Sequence, residues 1–240
     1  MKLNVKRNPA LPRFGAILFA SFVLSTSAGA EVLVSRYTVN VGGIPAGDAV
    51  LRTTYDAKHY EVEVSADVGT IFDSTKIQGT ASGARAGAKL TPERFQLALT
   101  GGEQGAIDVN FKGEGGSEET INTRLRGVFD PLSAMLATSL KPHSPSTNPC
   151  NHVLPIFTGR ARFDLKLHPK PVEEGREASA YVVCEADYAA IPGQAFQKVE
   201  IEIIFSKMAK PKFWLVERLS LPTNKGTLVI ERAETSVKGS

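Results

Sequence analysis

Apolar and polar side chains alternate along much of this chain, and this pattern limits its fold more than any other feature. In the clearest run, Tyr60, Val62 and Val64 alternate with acidic residues, and the same period recurs at 95–99, 107–111, 163–167 and 199–203. A period of two places one face of a segment on the core and the other in water, which predicts β-strands. Turn sequences at 42–43, 101–102 and 224–226 separate such runs. The sequence therefore predicts a mainly β fold, built as an antiparallel meander.

One segment follows the helical period instead. The side chain of Asp130 can accept hydrogen bonds from a first helical turn, and Pro131 suits the first helical position. Apolar residues then recur at three- and four-residue steps, at Leu132, Met135, Leu136 and Leu140, before Pro142. A helix this short is unstable alone in water, so we expect its apolar stripe to pack on the sheet; a mobile lid over a ligand is the alternative. The predicted architecture is a curved sheet or open barrel around one short α-helix.

The first thirty residues have the pattern of a secretory signal peptide. Basic residues precede an apolar stretch at 14–24, and a small-residue sequence, Ala-Gly-Ala, stands at 28–30 immediately before Glu31. The stretch is too short to span a bilayer comfortably, and no cysteine follows it to take a lipid anchor. We therefore expect cleavage after Ala30 and release into a bacterial periplasm, with no transmembrane segment in the mature protein.

The predicted cleavage changes the net charge. The whole chain carries 28 Lys and Arg against 25 Asp and Glu, a formal charge of +3. Four of the basic residues, and none of the acidic ones, precede Glu31, so the mature chain has 24 against 25 and a charge of −1. A nearly neutral chain without a basic cluster gives no electrostatic basis for binding nucleic acid or for strong attraction to anionic membranes.

Residues 31–240 are expected to form one β-rich domain. The most plausible break is the proline-rich segment 141–149, where three prolines and small polar residues exclude a helix and a central strand. A boundary there would leave the second half to bury its strands alone, so we interpret the segment as an internal loop.

The two cysteines, Cys150 and Cys184, are predicted to form a disulfide. A lone pair of cysteines in an oxidising compartment is most simply a crosslink. The alternative is a metal site formed by His143, Cys150, His152 and Cys184, but their spacing does not match the familiar zinc patterns. The disulfide is favoured, and no metal site is predicted.

The common catalytic motifs are missing from the sequence. It has no Gly-x-Ser-x-Gly elbow, no His-Glu-x-x-His helix and no phosphate-binding glycine loop. The four histidines, each a conceivable general base, have no nucleophile at a diagnostic spacing: His59, His143, His152 and His168. We therefore expect no catalytic residue, no cofactor and no enzymatic activity.

Two groups of residues are candidates for ligand binding. Arg160, Arg162 and Asp164 are expected on one face of a strand, where the two guanidinium groups could hold an anionic head group; an ordinary ion-pair ladder is the favoured alternative. Trp214 stands in the apolar run 213–216 and could form a wall of an apolar pocket. The helix residues Met135 and Leu136 would face the same pocket, although core packing is the simpler role for all three.

Three segments resemble a family of exported bacterial proteins. They are Tyr37 with the turn 42–47, the helix start at 129–133, and the stretch Thr158-Gly159-Arg160-Ala161-Arg162-Phe163-Asp164-Leu165. In this order along the chain they resemble domain of unknown function 3108. The resemblance covers nearly all of the mature chain, and it implies a periplasmic β-rich protein without assigned catalytic residues. A looser likeness links such a sheet to the open barrels of periplasmic lipoprotein carriers.

Three hypotheses on function follow from these observations. The leading one is a non-catalytic cell-envelope protein that binds a hydrophobic ligand, either a lipid or a lipidated protein, in its curved sheet. It predicts an apolar cavity. The second is a protein-interaction module that supports envelope assembly or integrity, which predicts a filled interior and an exposed sheet edge or apolar patch. The third is an enzyme of unrecognised type, which requires histidines and carboxylates to converge in one cleft.

Overall fold

The structure is a computed structural model that describes residues 29–70, 73–102, 104–112, 125–141, 148–171, 180–190, 195–210 and 212–238. The predicted signal peptide falls almost entirely outside these ranges, as do His143 and most of the proline-rich loop. Within them, no helix has both the length and the apolar character needed to cross a lipid bilayer.

Twelve strands and one complete helix make up the described chain. In sequence order these elements are β1 (Glu31–Val41), β2 (Ile44–Tyr55), β3 (His59–Thr70), β4 (Asp73–Ala86), β5 (Lys89–Gly101), β6 (Gly105–Asn110), α1 (Pro131–Ser139), β7 (His152–Phe157), β8 (Arg162–Lys170), β9 (Tyr181–Ala189), β10 (Gln197–Met208), β11 (Phe213–Thr223) and β12 (Gly226–Lys238).

All twelve strands belong to one antiparallel sheet. Their order is β6-β5-β4-β3-β2-β1-β12-β11-β10-β9-β8-β7, so two six-stranded meanders join where β1 pairs with β12. The edges of the sheet are β6 and β7, and the sheet does not close into a barrel. The predicted mainly β fold, an open curved meander with a short helix, is therefore confirmed.

The alternation predicted for the strands is clearest in β3. Tyr60 and Val62 are buried, whereas Glu61 and Glu63 are exposed. In β11 the four residues 213–216 are all buried, as expected if both faces of the strand are covered. Phe213 and Leu215 join the cluster that contains Leu136, while Trp214 packs with the two cysteines and Phe205.

The helix starts as predicted. Asp130 is the N-cap residue, Pro131 lies in the first turn, and the backbone N–H of Ser133 donates to Asp130 Oδ1 at 2.8 Å. The hydroxyl groups of Ser133 and Tyr60 lie 2.8 Å apart, which ties the helix start to β3. The cap therefore fixes where the helix begins and also where it docks on the sheet.

The prediction that only an apolar stripe of the helix is buried was wrong in one respect. Its small and hydroxyl-bearing residues are buried together with one large apolar residue, Leu136: they are Ser133, Ala134, Ala137, Thr138 and Ser139. Leu132, Met135 and Leu140 are only partly buried. The helix packs against β3, β4, β5, β7 and β11, so the sheet surrounds it on several sides. The Thr138 hydroxyl stays satisfied because it donates to the backbone oxygen of Ala134 at 2.9 Å. The helix is thus a core element.

Replacing Asp130 with alanine is expected to lower the free energy of unfolding by about 1 kcal/mol, because the first turn loses its cap. Burial raises the pKa of the Asp130 carboxyl, and this side chain is fully buried. Asp130→Ser keeps an oxygen acceptor and should recover part of the loss. Urea unfolding of the two variants measures this difference; a midpoint of Asp130→Ala equal to that of the parent would contradict the capping role.

Candidate functional site

The two edges of the sheet come together at one end. Gly159, in the turn between β7 and β8, has a φ of +88°, and a Cβ built on it would lie 2.3 Å from Cγ2 of Ile107 in β6. Phe157 at the end of β7 packs against the cluster that contains Phe95 and Val109. Side-chain packing, and not a ladder of hydrogen bonds, therefore joins the edges here.

A short segment before the helix fills part of the remaining gap. The backbone N–H of Phe129 donates to the oxygen of Pro155, and the N–H of Phe157 donates to the oxygen of Phe129, both at 2.8 Å. Phe129 thus forms a parallel bridge with Ile156. This bridge covers the outer edge of β7 only near the end of the strand. It does not reach the start of β7.

A groove opens at this start, between β5 and β7. We call it the seam groove; its volume is about 770 Å³, and it is lined by 88–92, Phe111, 125–129, Ala137, Lys141 and 152–154. Most of these side chains are apolar, and Val153 is 46% exposed. β6 is short and pairs with β5 only from Arg94 to Leu99, so the first residues of β5 have no described strand beside them on that side.

The charged groups among the described lining residues of the seam groove are all basic. Lys89, Arg126 and Lys141 line it together with His152, and no Asp or Glu is among the described lining residues. Burial, aided by the nearby charge of Lys141, lowers the pKa of His152 to about 4. His152 is therefore neutral at pH 7, and the positive charge of the groove comes from the other three side chains.

A hydrogen bond assigns the tautomer of His152. Its Nε2 lies 3.2 Å from Oγ1 of Thr138, and the Thr138 hydroxyl already donates its proton to Ala134. The hydroxyl must therefore accept from His152, so Nε2 carries the proton. This contact orients the ring between the helix and β7, at one wall of the seam groove.

The predicted apolar site residues lie elsewhere. Trp214 and Leu136 are buried in the core, and Met135 packs against the cluster of Trp214. The cavity beside Met135 and Leu136 has a volume of about 20 Å³, enough for about one water molecule. The structure thus brings Met135 and Trp214 together, in a filled interior.

The predicted arginine pair is only partly aligned. Arg162 begins β8, but Arg160 lies in the turn before that strand, so the expected placement of both on one strand was wrong. The turn that contains Gly159 breaks the two-residue alternation. Phe163, Leu165 and Leu167 do supply the core-facing side of β8. Neither arginine is among the described lining residues of the seam groove, and their contact with a ligand stays a prediction.

The predicted disulfide is confirmed. Cys150 and Cys184 are bonded, with 5.1 Å between their Cα atoms, and both are fully buried. The bond ties the start of β7 to β9, and it occupies both sulfur atoms of the alternative metal site. That alternative was therefore wrong.

The three cations that line the seam groove escaped the sequence analysis. Lys89 follows a turn, Arg126 precedes the helix and Lys141 follows it, and each looks like an ordinary solvated side chain in the sequence. Their convergence depends on how the two ends of a twelve-stranded sheet approach each other, for which no local pattern exists.

Comparison with known proteins supports the family resemblance. No curated protein matches the sequence. One similar solved structure is that of a beta-barrel-like protein of domain of unknown function DUF1849 from Brucella abortus, with 8% identity, a TM-score of 0.39, and coverage of 88% of this chain and 98% of that chain. The model of the family "Protein of unknown function (DUF3108)" matches residues 36–231, and the chain therefore belongs to that family.

Proposed function

We propose that this chain is an exported, non-catalytic protein of the cell envelope that binds a hydrophobic ligand, either a lipid or the lipid group of a partner protein, in the seam groove. The observation that carries the proposal is the groove itself. Its volume of about 770 Å³ is in the range of small-molecule sites, roughly 300–1,000 Å³.

The walls of the seam groove suit an apolar ligand. Leu90, Pro92 and Phe111 line one side, while Phe129 and Leu154 belong to the segments on the other. Binding there would remove apolar surface from water on both partners, at a gain of roughly 25 cal/mol per Å² before the costs of association.

The placement of the histidines supports a non-catalytic role. His59 lies 3.8 Å from Asp56 beside a turn, and its side chain is largely exposed. His168 lies 3.4 Å from Asp187 on neighbouring strands, away from the groove lining. His152, which does line the groove, bonds to Thr138, and no carboxylate shares the described lining with it. A histidine and a carboxylate in one cleft, which an acid–base site requires, are therefore not brought together there.

Export is tested by the mass of the mature protein. We expect material from the periplasmic fraction to have the mass of a chain that starts at Glu31, because the small residues before it match the requirement of signal peptidase. Intact mass spectrometry of cell fractions measures this. Protein found in the cytosol with its first thirty residues retained would contradict the proposed location.

Filling the seam groove should weaken ligand binding. Val153→Trp places a large ring at the groove, and we expect it to weaken binding of the neutral apolar dye N-phenylnaphthylamine by about tenfold or more, which corresponds to roughly 1.4 kcal/mol. Fluorescence titration of the delipidated protein gives the affinity.

The matched control is Val237→Trp. Val237 is 43% exposed, close to the 46% of Val153, and lies on β12 outside the groove lining. It should bind the dye as the parent does. Equal affinity in the parent and both variants would show that the dye does not enter the seam groove.

A protein-interaction module is the second candidate. It is favoured by the edge position of β7 and by the exposed side chain of Val153 on that edge, since a free edge can pair with a strand of another chain. Native mass spectrometry of protein purified from periplasm separates the two: a co-purified mass of lipid size supports the ligand carrier, and a stable heteromer supports the interaction module.

A further inference from the structure

We infer that the ligand of the seam groove is an amphiphile with one acyl chain and an anionic head group, whose charge lies near Lys89, Arg126 and Lys141. This inference rests on the proposed function, and it adds the chemical class of the ligand. The charges of the groove support this ligand class, as does their contrast with the charges of other surface grooves of the same molecule.

The seam groove differs from two other surface grooves in its charge. One, of about 690 Å³, contains Arg52 together with Glu63 and Asp108 among its lining residues. The other, of about 500 Å³, combines Arg85 and Lys212 with Glu31 and Asp56. The first of these grooves therefore has one more acid than base, and the second has equal numbers of each. Of these three grooves, the seam groove alone has an excess of positive charge among its described lining residues, with three cations and no acid, so its local potential favours an anion.

Within the described part of the chain, the three cations of the seam groove have no acidic partner. None of them is ion-paired with a described residue. Lys112, close in sequence to the groove residue Phe111, shows the usual alternative, since its Nζ lies 2.9 Å from Glu93. A carboxylate or phosphate that enters the groove would therefore displace no described ion-pair partner from these side chains.

The apolar walls and the neutral histidine indicate which chemical group is attached to the anionic head group of the ligand. His152 is uncharged at pH 7 because burial lowers its pKa to about 4, and the rest of the wall near it consists of Val153, Leu154 and Ala137. A small inorganic anion would leave these walls in contact with water. A hydrocarbon chain attached to the anion covers them, which is why the inference specifies an amphiphile.

Three probes with the same chain test the head group. Hexadecanoate, hexadecanol and hexadecylamine share one chain and differ at pH 7 chiefly in the charge of the head group, and each can compete with bound N-phenylnaphthylamine below its solubility limit. We expect hexadecanoate to bind about tenfold more tightly than the alcohol and the amine to bind most weakly, because the exposed cations each contribute a modest attraction. The preference for hexadecanoate should shrink as salt is added.

A matched pair of triple variants locates the effect. The triple variant Lys89→Gln, Arg126→Gln and Lys141→Gln should lower the affinity for hexadecanoate about tenfold. Its affinity for hexadecanol should stay within about twofold of the parent's. The control combines Lys58→Gln, Lys225→Gln and Lys238→Gln, which removes the same charge from exposed positions elsewhere, and it should keep the affinity of the parent.

The outcomes separate this inference from the proposed function. If the dye binds and Val153→Trp weakens it, but hexadecanoate and hexadecanol compete equally, the anionic head group is refuted and the apolar groove remains. If the control triple variant weakens hexadecanoate as much as the groove variant, the three groove cations are not the site. If the parent binds none of the probes, both proposals fail.

Discussion

Replacing Cys150 and Cys184 together with alanine is expected to lower the free energy of unfolding by about 4 kcal/mol. The two residues are 34 positions apart in sequence, and in the chain-entropy account a crosslink stabilises by restricting the unfolded chain more as the loop grows. A loss of this size is a large part of the 5–15 kcal/mol that typically separates folded from unfolded domains. The variant should therefore be the most strongly destabilised one considered for this protein.

The fluorescence of Trp214 reports this loss of stability directly. It is the only tryptophan, it is buried, and it packs in the same cluster as both cysteines. Urea unfolding followed by its fluorescence should show a much lower midpoint for the double alanine variant and for the reduced parent protein. If reduction leaves the midpoint of the parent in place, the crosslink does not contribute to stability as expected.

Leu136→Ala is expected to have the second largest effect, a loss of about 2–5 kcal/mol. Leu136 is 2% exposed and packs with Phe213, Leu215 and Leu33. The interior beside it has almost no free volume, so the deleted methyl groups leave a cavity that rigid neighbouring strands cannot easily fill. Thermal or urea unfolding measures the change.

Ile44→Ala is the control for this core substitution. Ile44 is 70% exposed beside the turn between β1 and β2, and the change should stay within about 0.5 kcal/mol. Because Leu136 lies outside the described lining of the seam groove, the folded Leu136→Ala protein should still bind the naphthylamine dye. Loss of dye binding with unchanged stability would instead indicate that Leu136 contacts the ligand.

Local patterns predicted much of this fold. The alternation of Val62 with Glu63 follows from the geometry of a strand with one wet face, and Asp130 with Pro131 marks the helix start through the chemistry of unsatisfied N–H groups. The disulfide followed from the scarcity of cysteine. The first two features depend on residues that are neighbours in sequence. For the disulfide, a chain with two cysteines allows a single pairing within the chain.

The features that were missed depend on distant parts of the chain. Thr138 is buried because the sheet surrounds the helix, and its hydroxyl finds a partner within its own helix. Arg160 left the expected strand face because a turn that packs on Ile107 precedes β8. The cations of the seam groove meet only where β5 and β7 approach each other. Periodicity describes which side of an element faces inward, and it carries no information on which elements meet.

The central pairing of β1 with β12 has a consequence for the order of folding. As the chain is synthesised from its amino end, β2 can cover one side of β1 at once, while the other side waits for the last strand to appear. Contacts of such long range make folding slow. The first strand of the newly made polypeptide therefore keeps one unpaired edge, able to pair with another strand, until synthesis is almost complete.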